Sequence, residues 1–467
     1  MPEESRVLDI EALESAIENL DVEVFQSTAE DLHYADLASV FQDLEDDDAR
    51  SFFTKNISLA SFPQVLAELP DALIEETLQR FDESSQREIL RKLIDDDRAD
   101  VLQDVSPEAR QHYLAMLKPE QQETTRSLMR YNEDTAGGRM TTHAARISLG
   151  TTAKSALEIL RKYKDSTQSL ARIYVVDDQG RLKGKTRLRE LAFTPWDTLV
   201  DDIMDEADLS ILASTDQEEA AQMFSKYDMT LLPVVDEYDH LLGVITHDDV
   251  LEIIEEESTE DIEKMSGIAG EQSEQTYLNT SVATHFKRRF PWLLILALLA
   301  ISSGYVMLRF EHILSHIYLL ALYLPMVVAA GGNTGGQAAT MVIRAMSLGE
   351  LEAGSTSKVI TKELILGIIL GTILGCCIAL ITLFILPIFN PPLPEGVALT
   401  TFALAVSIAL GAQITTSTLS GALLPLGARA IKLDPAVVAA PAITTLVDIS
   451  GMVIYFTAAQ AILPAVI

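Results

Sequence analysis

The sequence predicts a multidomain membrane protein: an all-α helical superhelix, a tandem α/β pair, a linker helix and a transmembrane domain of five α-helices. Charge and hydropathy segregate along the chain. The 467 residues carry 69 acidic and 35 basic side chains, a formal net charge of −34, yet 48% of them are hydrophobic. Residues 1–280 hold 26 bases and 62 acids, whereas residues 281–467 hold 9 bases and 7 acids. A uniformly acidic soluble chain is poor in apolar residues, so two unlike regions share this polypeptide.

Five apolar runs predict the transmembrane domain, because each approaches the ~20 residues that cross a bilayer as a helix. They cover residues 290–308, 317–343, 364–389, 397–426 and 435–463. Basic residues gather before the first run, between the second and third, and between the fourth and fifth, while the opposite side carries Arg309. Basic loops stay in the cytoplasm. The protein is therefore expected in the cell (inner) membrane, with its N-terminal domains cytoplasmic and its C-terminus outside.

A carboxylate inside the last run is a candidate ion site. Asp448 lies near the middle of that run, one turn after Thr444 and Thr445, whose hydroxyls can share its helix face. Charged groups at membrane depth are costly and usually face a bundle interior or a water-filled path. Two interpretations stay open at this point: a protonated Asp448 bonded to a neighbouring helix, or a cation site on a pore axis.

The second run adds oxygen ligands of another kind. Asn333, Thr334 and Gln337 lie in a glycine-rich segment, residues 331–337, where close helix packing is the alternative explanation for the glycines. Gln413 and the hydroxyl residues 415–418 and 420 form a polar cluster in the fourth run. Carboxylate, amide and hydroxyl oxygens suit hard cations, and Mg²⁺ in particular keeps several of its waters. These runs therefore predict a permeation path for such a cation.

Two histidines leave a further alternative open. His312 and His316 are four residues apart near the second run, so they either bind a transition metal or lie at the membrane interface. A homodimer with its pore on the two-fold axis would bring two Asp448 side chains together, which matches a divalent charge.

The acidic half divides into modules. Short helical patterns fill residues 1–136, and residues 137–256 repeat a unit of strand, acidic turn and strand at 172–184 and 231–250. An acidic amphipathic linker helix is predicted for residues 257–285, before the transmembrane domain at 286–467. Neither half shows a nucleophile–base arrangement, so an enzyme is not expected.

Acidic residues cluster near positions 95–100, 201–205, 216–219 and 248–261. A solvated acidic face is one explanation. The other is that bound divalent cations relieve the repulsion among the carboxylates and make the fold more compact. A surface this negative repels phosphate backbones, so nucleic acid is not an expected partner.

The repeated unit resembles a tandem CBS pair, and the whole chain resembles the MgtE magnesium channel family. Three segments carry the second resemblance: PMVVAAGGNTGGQAATMVIRA from Pro325, DPAVVAAPAITTLVDISG from Asp434, and DDVLEIIEEESTEDIEK from Asp248. The resemblance implies a membrane-embedded homodimer that imports Mg²⁺ and closes when cytosolic Mg²⁺ binds its acids. A secondary transporter coupling Mg²⁺ or Co²⁺ to H⁺ or Na⁺ is the alternative.

The resemblance also assigns roles to residues. Asp448 and Asn333 would line the pore, and Mg²⁺ would be both the transported and the regulatory ion. Thr246 and Asp249 have the spacing with which CBS domains hold a nucleotide ribose, so ATP is the candidate ligand there. Gly336 departs from the Asn of some members. The residues implied to sense Mg²⁺ are Asp96, Asp100, Asp216, Glu218, Asp228, Asp249, Glu252, Glu257, Glu260 and Asp261.

Overall fold

The computed structural model describes residues 3–44, 46–162, 170, 172–268, 277, 280–351, 354–389, 393, 396–436 and 440–463. The chain forms two compact units, Met1–Ile254 and Glu255–Ile467, called here the N-terminal unit and the membrane unit. The described elements confirm the predicted fold class: short helices, a duplicated α/β unit, a linker helix and long apolar helices.

Short amphipathic helices build the first part of the N-terminal unit. Phe25, Phe41, Phe53 and Phe62 are fully buried in their shared core. Ser106 and Pro107 start one of these helices, and the Ser106 hydroxyl accepts a hydrogen bond from the Ala109 N–H at 3.4 Å. The helices are α1 (Glu3–Glu18), α2 (Val22–Asp31), α3 (Tyr34–Asp43), α4 (Asp47–Asn56), α5 (Phe62–Ala67), α6 (Asp71–Gln79), α7 (Glu83–Lys92), α8 (Asp95–Gln103), α9 (Pro107–Met116) and α10 (Pro119–Leu128).

Two small sheets follow, in agreement with the predicted repeat. Each contains a parallel pair followed by an antiparallel hairpin, and the orders are β1-β2-β3-β4 and β5-β6-β7. The strands are β1 (Arg146–Ser148), β2 (Ile173–Val176), β3 (Leu182–Thr186), β4 (Asp205–Glu206), β5 (Ile211–Leu212), β6 (Leu232–Val235) and β7 (Leu241–Ile245). The helices are α11 (Ala153–Lys162), α12 (Leu188–Phe193), α13 (Gln217–Lys226) and α14 (His247–Met265).

The acidic turns of the two copies have the same construction. Asp177 accepts backbone hydrogen bonds from Gln179 and Arg181, each at 2.9 Å, and Asp236 accepts equivalent bonds from Tyr238 and His240, each at 2.8 Å. The hairpin tips also pair with each other, because the Leu182 N–H donates to the Asp239 carbonyl (2.9 Å) and the Leu241 N–H donates to the Gly180 carbonyl (3.0 Å).

The linker helix differs from the range 257–285 expected from the sequence. It is α14, which begins at His247 and ends at Met265. Gly267 has a φ of +72°, and the Ile268 N–H donates back to the Glu263 carbonyl at 2.9 Å, an arrangement that ends a helix. Residues 269–276 and 278–279 of the predicted range lie outside the described residues. The next helix begins at Val282.

The five predicted spans correspond to five helices that are long and apolar enough to cross a membrane. His312 and His316 lie on a separate short helix, with ring centroids 4.2 Å apart and both side chains exposed. The helices of this unit are α15 (Val282–Arg309), α16 (Glu311–His316), α17 (Leu319–Ser347), α18 (Thr356–Phe384), α19 (Leu399–Ala430) and α20 (Ala440–Ile462), with a 3₁₀ turn at Leu386–Phe389.

Small residues let α18 and α19 touch through their backbones. A Cβ built on Gly371 would lie 2.6 Å from the Gly411 carbonyl oxygen, and a Cβ on Gly375 would lie 3.0 Å from the Ser407 carbonyl oxygen. Gly367 meets Thr415 in the same way, at 3.0 Å. These glycines recur every four residues and form one buried stripe along α18, which is typical of helix contacts in membranes.

Candidate ion path and acidic cluster

Asp448 of α20 faces the glycine segment of α17. A Cβ built on Gly332 would lie 3.9 Å from Asp448 Oδ1 and 3.4 Å from Thr444 Cγ2, so the absence of a side chain at Gly332 leaves room beside the carboxylate. Asp448 is half-buried, Thr444 is exposed and Thr445 is half-buried. The structure therefore brings the predicted acid and the predicted glycine segment together.

The polar residues of α17 divide into two groups. Asn333 and Gln337, one turn apart, have exposed side chains. Thr334 instead donates its hydroxyl to its own helix, at 3.0 Å from the Ala330 carbonyl and 3.1 Å from the Gly331 carbonyl. A Cβ on Gly336 would meet nothing within 4 Å among the described atoms, so open space continues along this face.

The threonine hydroxyls in the polar cluster of α19 are bonded within their own helix. Thr415, Thr416 and Thr418 donate their hydroxyls to carbonyls one turn earlier on α19, at 2.9, 2.9 and 2.6 Å. These bonds satisfy the hydroxyl protons within the helix. The three threonines are thus bonded locally, whereas the Ser417 hydroxyl is buried without a hydrogen-bond partner among the described residues.

Gln413 is the residue in this cluster that reaches another helix, a role that the sequence did not single out. Its side chain is 0% exposed, and its Nε2 donates to the Val447 carbonyl at 2.9 Å, next to Asp448. A Cβ on Gly331 or Gly451 would lie 2.3 or 2.6 Å from Nε2, so glycines on α17 and α20 make the space for this amide. Its Oε1 has no hydrogen-bond partner in the described structure.

A second site lies in the N-terminal unit, where carboxylates of α8 approach the start of α14. Asp96 is 6% exposed, and its Oδ1 is buried without a hydrogen-bond partner among the described residues. Asp97 and Asp100 share the helix, and Asp249 interacts electrostatically with both Asp96 and Asp97. Two predicted sensing residues, Asp96 and Asp249, are therefore neighbours.

Burial and mutual repulsion raise the pKa values in this acidic cluster, defined as Asp96, Asp97, Asp100 and Asp249. Burial is the largest cause in each case. It raises the pKa of Asp97 to about 6, with Asp249 adding to the effect, and that of Asp100 to about 8, against the opposing influence of Arg139. The pKa of Asp96 lies well above its usual range, because of burial and then the charge of Asp97.

The predicted nucleotide residues form a tight turn. The Thr246 N–H and hydroxyl both donate to Asp249 Oδ2, at 2.9 and 2.6 Å, so this carboxylate oxygen already has local partners. In the first copy, the Arg187 N–H donates to Glu190 Oε2 at 3.3 Å in the equivalent position. A surface cleft lies in that first copy, and it is lined by Leu170, Arg187, Leu188, Arg189 and Ala192.

The other predicted sensing residues are spread out. Asp216 caps α13 by accepting from the Glu218 N–H at 2.9 Å, and the Glu218 carboxylate accepts from Gln222 at 3.1 Å. Asp228 follows the other end of this ten-residue helix. It is exposed and has a φ of +46°. Asp216 and Asp228 are thus separated by about 15 Å of helix.

The end of α14 is bonded within the membrane unit. Lys264 Nζ contacts Glu260 at 2.5 Å and Asp434, in the loop after α19, at 2.6 Å. Asp261 accepts a hydrogen bond from the Ser347 hydroxyl at the end of α17, at 2.9 Å. Glu257 is half-buried, whereas Glu252, on the part of α14 in the N-terminal unit, is exposed. No group of three or more His, Cys, Asp or Glu in the described structure is arranged to hold a metal ion.

Comparison with known proteins finds family matches in both halves of the chain. The MgtE divalent cation transporter family matches residues 324–458, the MgtE intracellular N domain matches 7–134, and the CBS domain matches 136–192 and 200–256. The sequence is 35% identical over 351 residues to "Magnesium transporter MgtE" of Thermus thermophilus, covering 75% of each chain. The chain belongs to the MgtE family. The protein of the same name in Bacillus subtilis is 30% identical over 372 residues, covering 80% of this chain and 79% of that relative.

A solved structure resembles the N-terminal part of this MgtE chain. It is the crystal structure of the cytosolic domain of the Mg²⁺ channel MgtE in complex with ATP, with a TM-score of 0.50 and 34% identity. The match covers 52% of this chain and 99% of that one. Together with the five apolar helices, membership of this family makes the protein a multi-pass membrane protein.

From the raised pKa values in the acidic cluster, we predict that the folded chain becomes less stable as the pH rises when no divalent cations are present. The folded-state pKa values of Asp97 and Asp100 are about 6 and about 8, and both exceed the unfolded value of about 4. The contribution of these two acids to the free energy of unfolding is therefore complete below pH ~4 and is lost as the pH rises through both folded values. Thermal unfolding of the full chain in chelator should therefore show a lower Tm at pH ~8.5 than at pH ~5.5.

Replacing Asp100 by Asn should remove part of this pH dependence, because Asn stays neutral. Glu11→Gln, which changes an exposed acid of α1, is the matched control and should leave the pH dependence unchanged. A Tm that rises with pH, or an unchanged slope in Asp100→Asn, would contradict the prediction.

Gln413→Met tests whether this amide serves stability or transport. The substitution keeps a similar volume and removes both the bond to the Val447 carbonyl and the unpartnered Oε1, so we expect the unfolding free energy to change by only about 1 kcal/mol. Divalent cation transport at subsaturating concentration should fall by about tenfold, equivalent to 1.4 kcal/mol, because the backbone beside Asp448 loses its tether. Uptake into proteoliposomes and thermal unfolding measure the two quantities.

Thr416→Val is the control for Gln413→Met, because Thr416 lies on the same helix with an exposed side chain bonded only locally among the described residues. It should change neither quantity. Loss of transport that merely follows loss of folded protein in Gln413→Met would indicate a packing role instead.

Proposed function

We propose that the protein is a Mg²⁺ channel that imports Mg²⁺ across the cell membrane and closes when cytosolic Mg²⁺ binds its acidic residues. The observation that carries the transport part is the position of Asp448, which faces Gly332 of α17, the helix that also carries the exposed amides Asn333 and Gln337. A carboxylate and amides at membrane depth are costly unless they meet water or ions. The curated relatives are named as magnesium transporters.

The chemistry of this face fits Mg²⁺. Asp448 supplies one carboxylate, and Asn333, Gln337 and Thr444 supply amide and hydroxyl oxygens. Mg²⁺ binds few protein oxygens and keeps most of its waters, so a wide path with one carboxylate per chain is appropriate for it. The open space at Gly336 leaves room for a hydrated ion.

We also propose a homodimer, which the same exposed face supports. Asn333, Gln337 and Thr340 form an exposed polar stripe along α17, and lipid would not solvate it. A second copy placed against this face would enclose a polar path and bring two Asp448 carboxylates to one ion. The distribution of basic residues supports a cytoplasmic N-terminus and an outer C-terminus.

Gating is proposed to arise from the acidic cluster. Its carboxylates are packed together with raised pKa values, so a divalent cation or protons would stabilise their close approach. Asp249 lies at the start of α14, and the other end of this helix is bonded to the membrane unit through Lys264 and Asp261. Several ions that prefer the closed state would give a steep response. Without them, repulsion would favour opening.

ATP is proposed as a ligand of the CBS pair. A relative's cytosolic domain was solved with ATP, and the cleft here presents Arg187 and Arg189, whose charge suits an anionic group. Asp249 remains the candidate contact for the ribose.

Asp448→Asn should abolish most Mg²⁺ uptake, because the neutral amide cannot offset the charge of the ion. We expect a fall of about tenfold or more in proteoliposomes that contain a Mg²⁺ indicator. Glu311→Gln, an exposed acid on α16, is the control and should transport normally. Normal uptake by Asp448→Asn would exclude the proposed path. Discrete single-channel currents are expected in planar bilayers, whereas a carrier coupled to H⁺ or Na⁺ would give none.

Asp249→Asn combined with Glu257→Gln should leave transport active at high cytosolic Mg²⁺. The two changes remove charge from the first turn and the middle of α14 and so weaken the binding that favours closure. Currents are recorded while cytosolic Mg²⁺ is raised. Glu11→Gln combined with Glu23→Gln, which neutralises two exposed acids, should keep the inhibition. Unchanged Mg²⁺ inhibition in the first pair would count against the gating proposal.

A further inference from the structure

The five long apolar helices contain one acid besides Asp448, and it lies on α18. Glu363 is in the second turn of this helix, outside the apolar run at 364–389 that the sequence indicated, and its side chain is only 8% exposed. It extends the buried stripe of Gly367, Gly371 and Gly375 by one turn, while Lys362 beside it is exposed. This chain alone buries Glu363, before any lipid or second copy is considered.

The one positive charge that acts electrostatically on Glu363 among the described residues is that of the adjacent, exposed Lys362. Its Oε2 is buried without a hydrogen-bond partner among the described residues. In the register set by Gly367, Gly371 and Gly375, Glu363 lies level with Leu419 of α19. Arg429, the charged residue of α19, is ten residues further, or about 15 Å along the helix. It donates to the Leu351 carbonyl at 2.9 Å.

The other charged residues near α18 also lie away from Glu363 or are exposed. Lys362 follows the exposed side of the helix, about 100° from Glu363 around its axis. The 3₁₀ turn at Leu386–Phe389, which also packs on α18, has no charged residue. Arg344 of α17 is exposed. An ionised carboxylate here would therefore be buried with no ion pair among the described residues and with only the solvent-exposed charge of Lys362 near it, which is a costly arrangement.

The ligand that fits this position is a proton. A divalent cation needs several oxygen ligands, and neither α18 nor α19 carries an acid other than Glu363. A proton needs a single carboxylate oxygen and makes the group neutral. We propose that Glu363 is a proton-binding site, occupied while α18 and α19 pack as they do here and emptied in any state that opens this contact to water.

This site links the packing of α18 on α19 to pH. Protonation converts the carboxylate into a carboxylic acid, with the proton taken from solvent, and it favours the packed state. Deprotonation occurs only when water reaches the side chain, so alkaline pH favours the opened state. Proton binding at Glu363 does not depend on the proposed Mg²⁺ transport. Of the two measurements below, only the second uses transport as its readout.

The first measurement is thermal unfolding of the full chain in detergent, at about pH 5.5 and about pH 8.5. Glu363→Gln, which resembles the neutral acid, should raise the Tm at the higher pH by about 3 °C and leave it unchanged at the lower one. Glu363→Asp keeps a titratable group and should retain the pH dependence. Glu350→Gln, an exposed acid in the preceding loop, is the control. Equal destabilisation of Glu363→Gln at both pH values would show that Glu363 is ionised and paired, and would overturn the proposal.

The second measurement is the pH profile of Mg²⁺ uptake. Wild-type uptake should change several-fold between about pH 5.5 and about pH 8.5, and Glu363→Gln should hold it at the value that the wild type has at low pH. Identical profiles for the two proteins would refute the proposal. Absence of uptake by the wild type would refute the proposed function alone, because the unfolding measurement would still decide the role of Glu363.

Discussion

A carboxylate that leaves water requires a positive charge, a set of donors or a proton, and this constraint shapes both units of the chain. The acidic cluster places Asp96 and its neighbours together with raised pKa values. Asp448 faces Gly332, which has no side chain, and Glu363 is buried on α18. Elsewhere the constraint is met internally: buried Arg98 contacts Asp95 and also donates to Thr125 at 3.0 Å.

A second constraint in the membrane unit is the space available between closely packed helices. Glycines on three helices bring backbones into contact, and the same absence of side chains admits the Gln413 amide between α17 and α20. The buried, unpartnered Oε1 of Gln413 costs stability, by about 1–3 kcal/mol for a group of this kind. A methionine there would avoid that cost. The amide is therefore better explained by the position it gives to the backbone beside Asp448.

The sequence predicted the order of modules because the underlying signals are local. Apolar runs mark the spans, and the repeated strand and acidic turn marks the duplicated unit. The linker helix ends earlier than predicted, because Gly267 has a left-handed backbone conformation that follows the end of α14. Gln413 and Glu363 could not be singled out, because their importance depends on which face another helix covers. Thr334 looked like a path ligand, yet its hydroxyl bonds to its own helix.

The reciprocal pairing of the hairpin tips makes the two halves of the duplicated unit inseparable. Each tip gives the other a backbone hydrogen bond, and the Thr141 N–H from before the first sheet donates to the Val244 carbonyl of the second at 2.9 Å. Tyr174 of the first copy also donates its hydroxyl to the Leu231 carbonyl, at 3.2 Å. A fragment cut between the copies would leave these backbone groups and apolar surfaces uncovered, so the pair is the smallest piece that can be expected to fold independently.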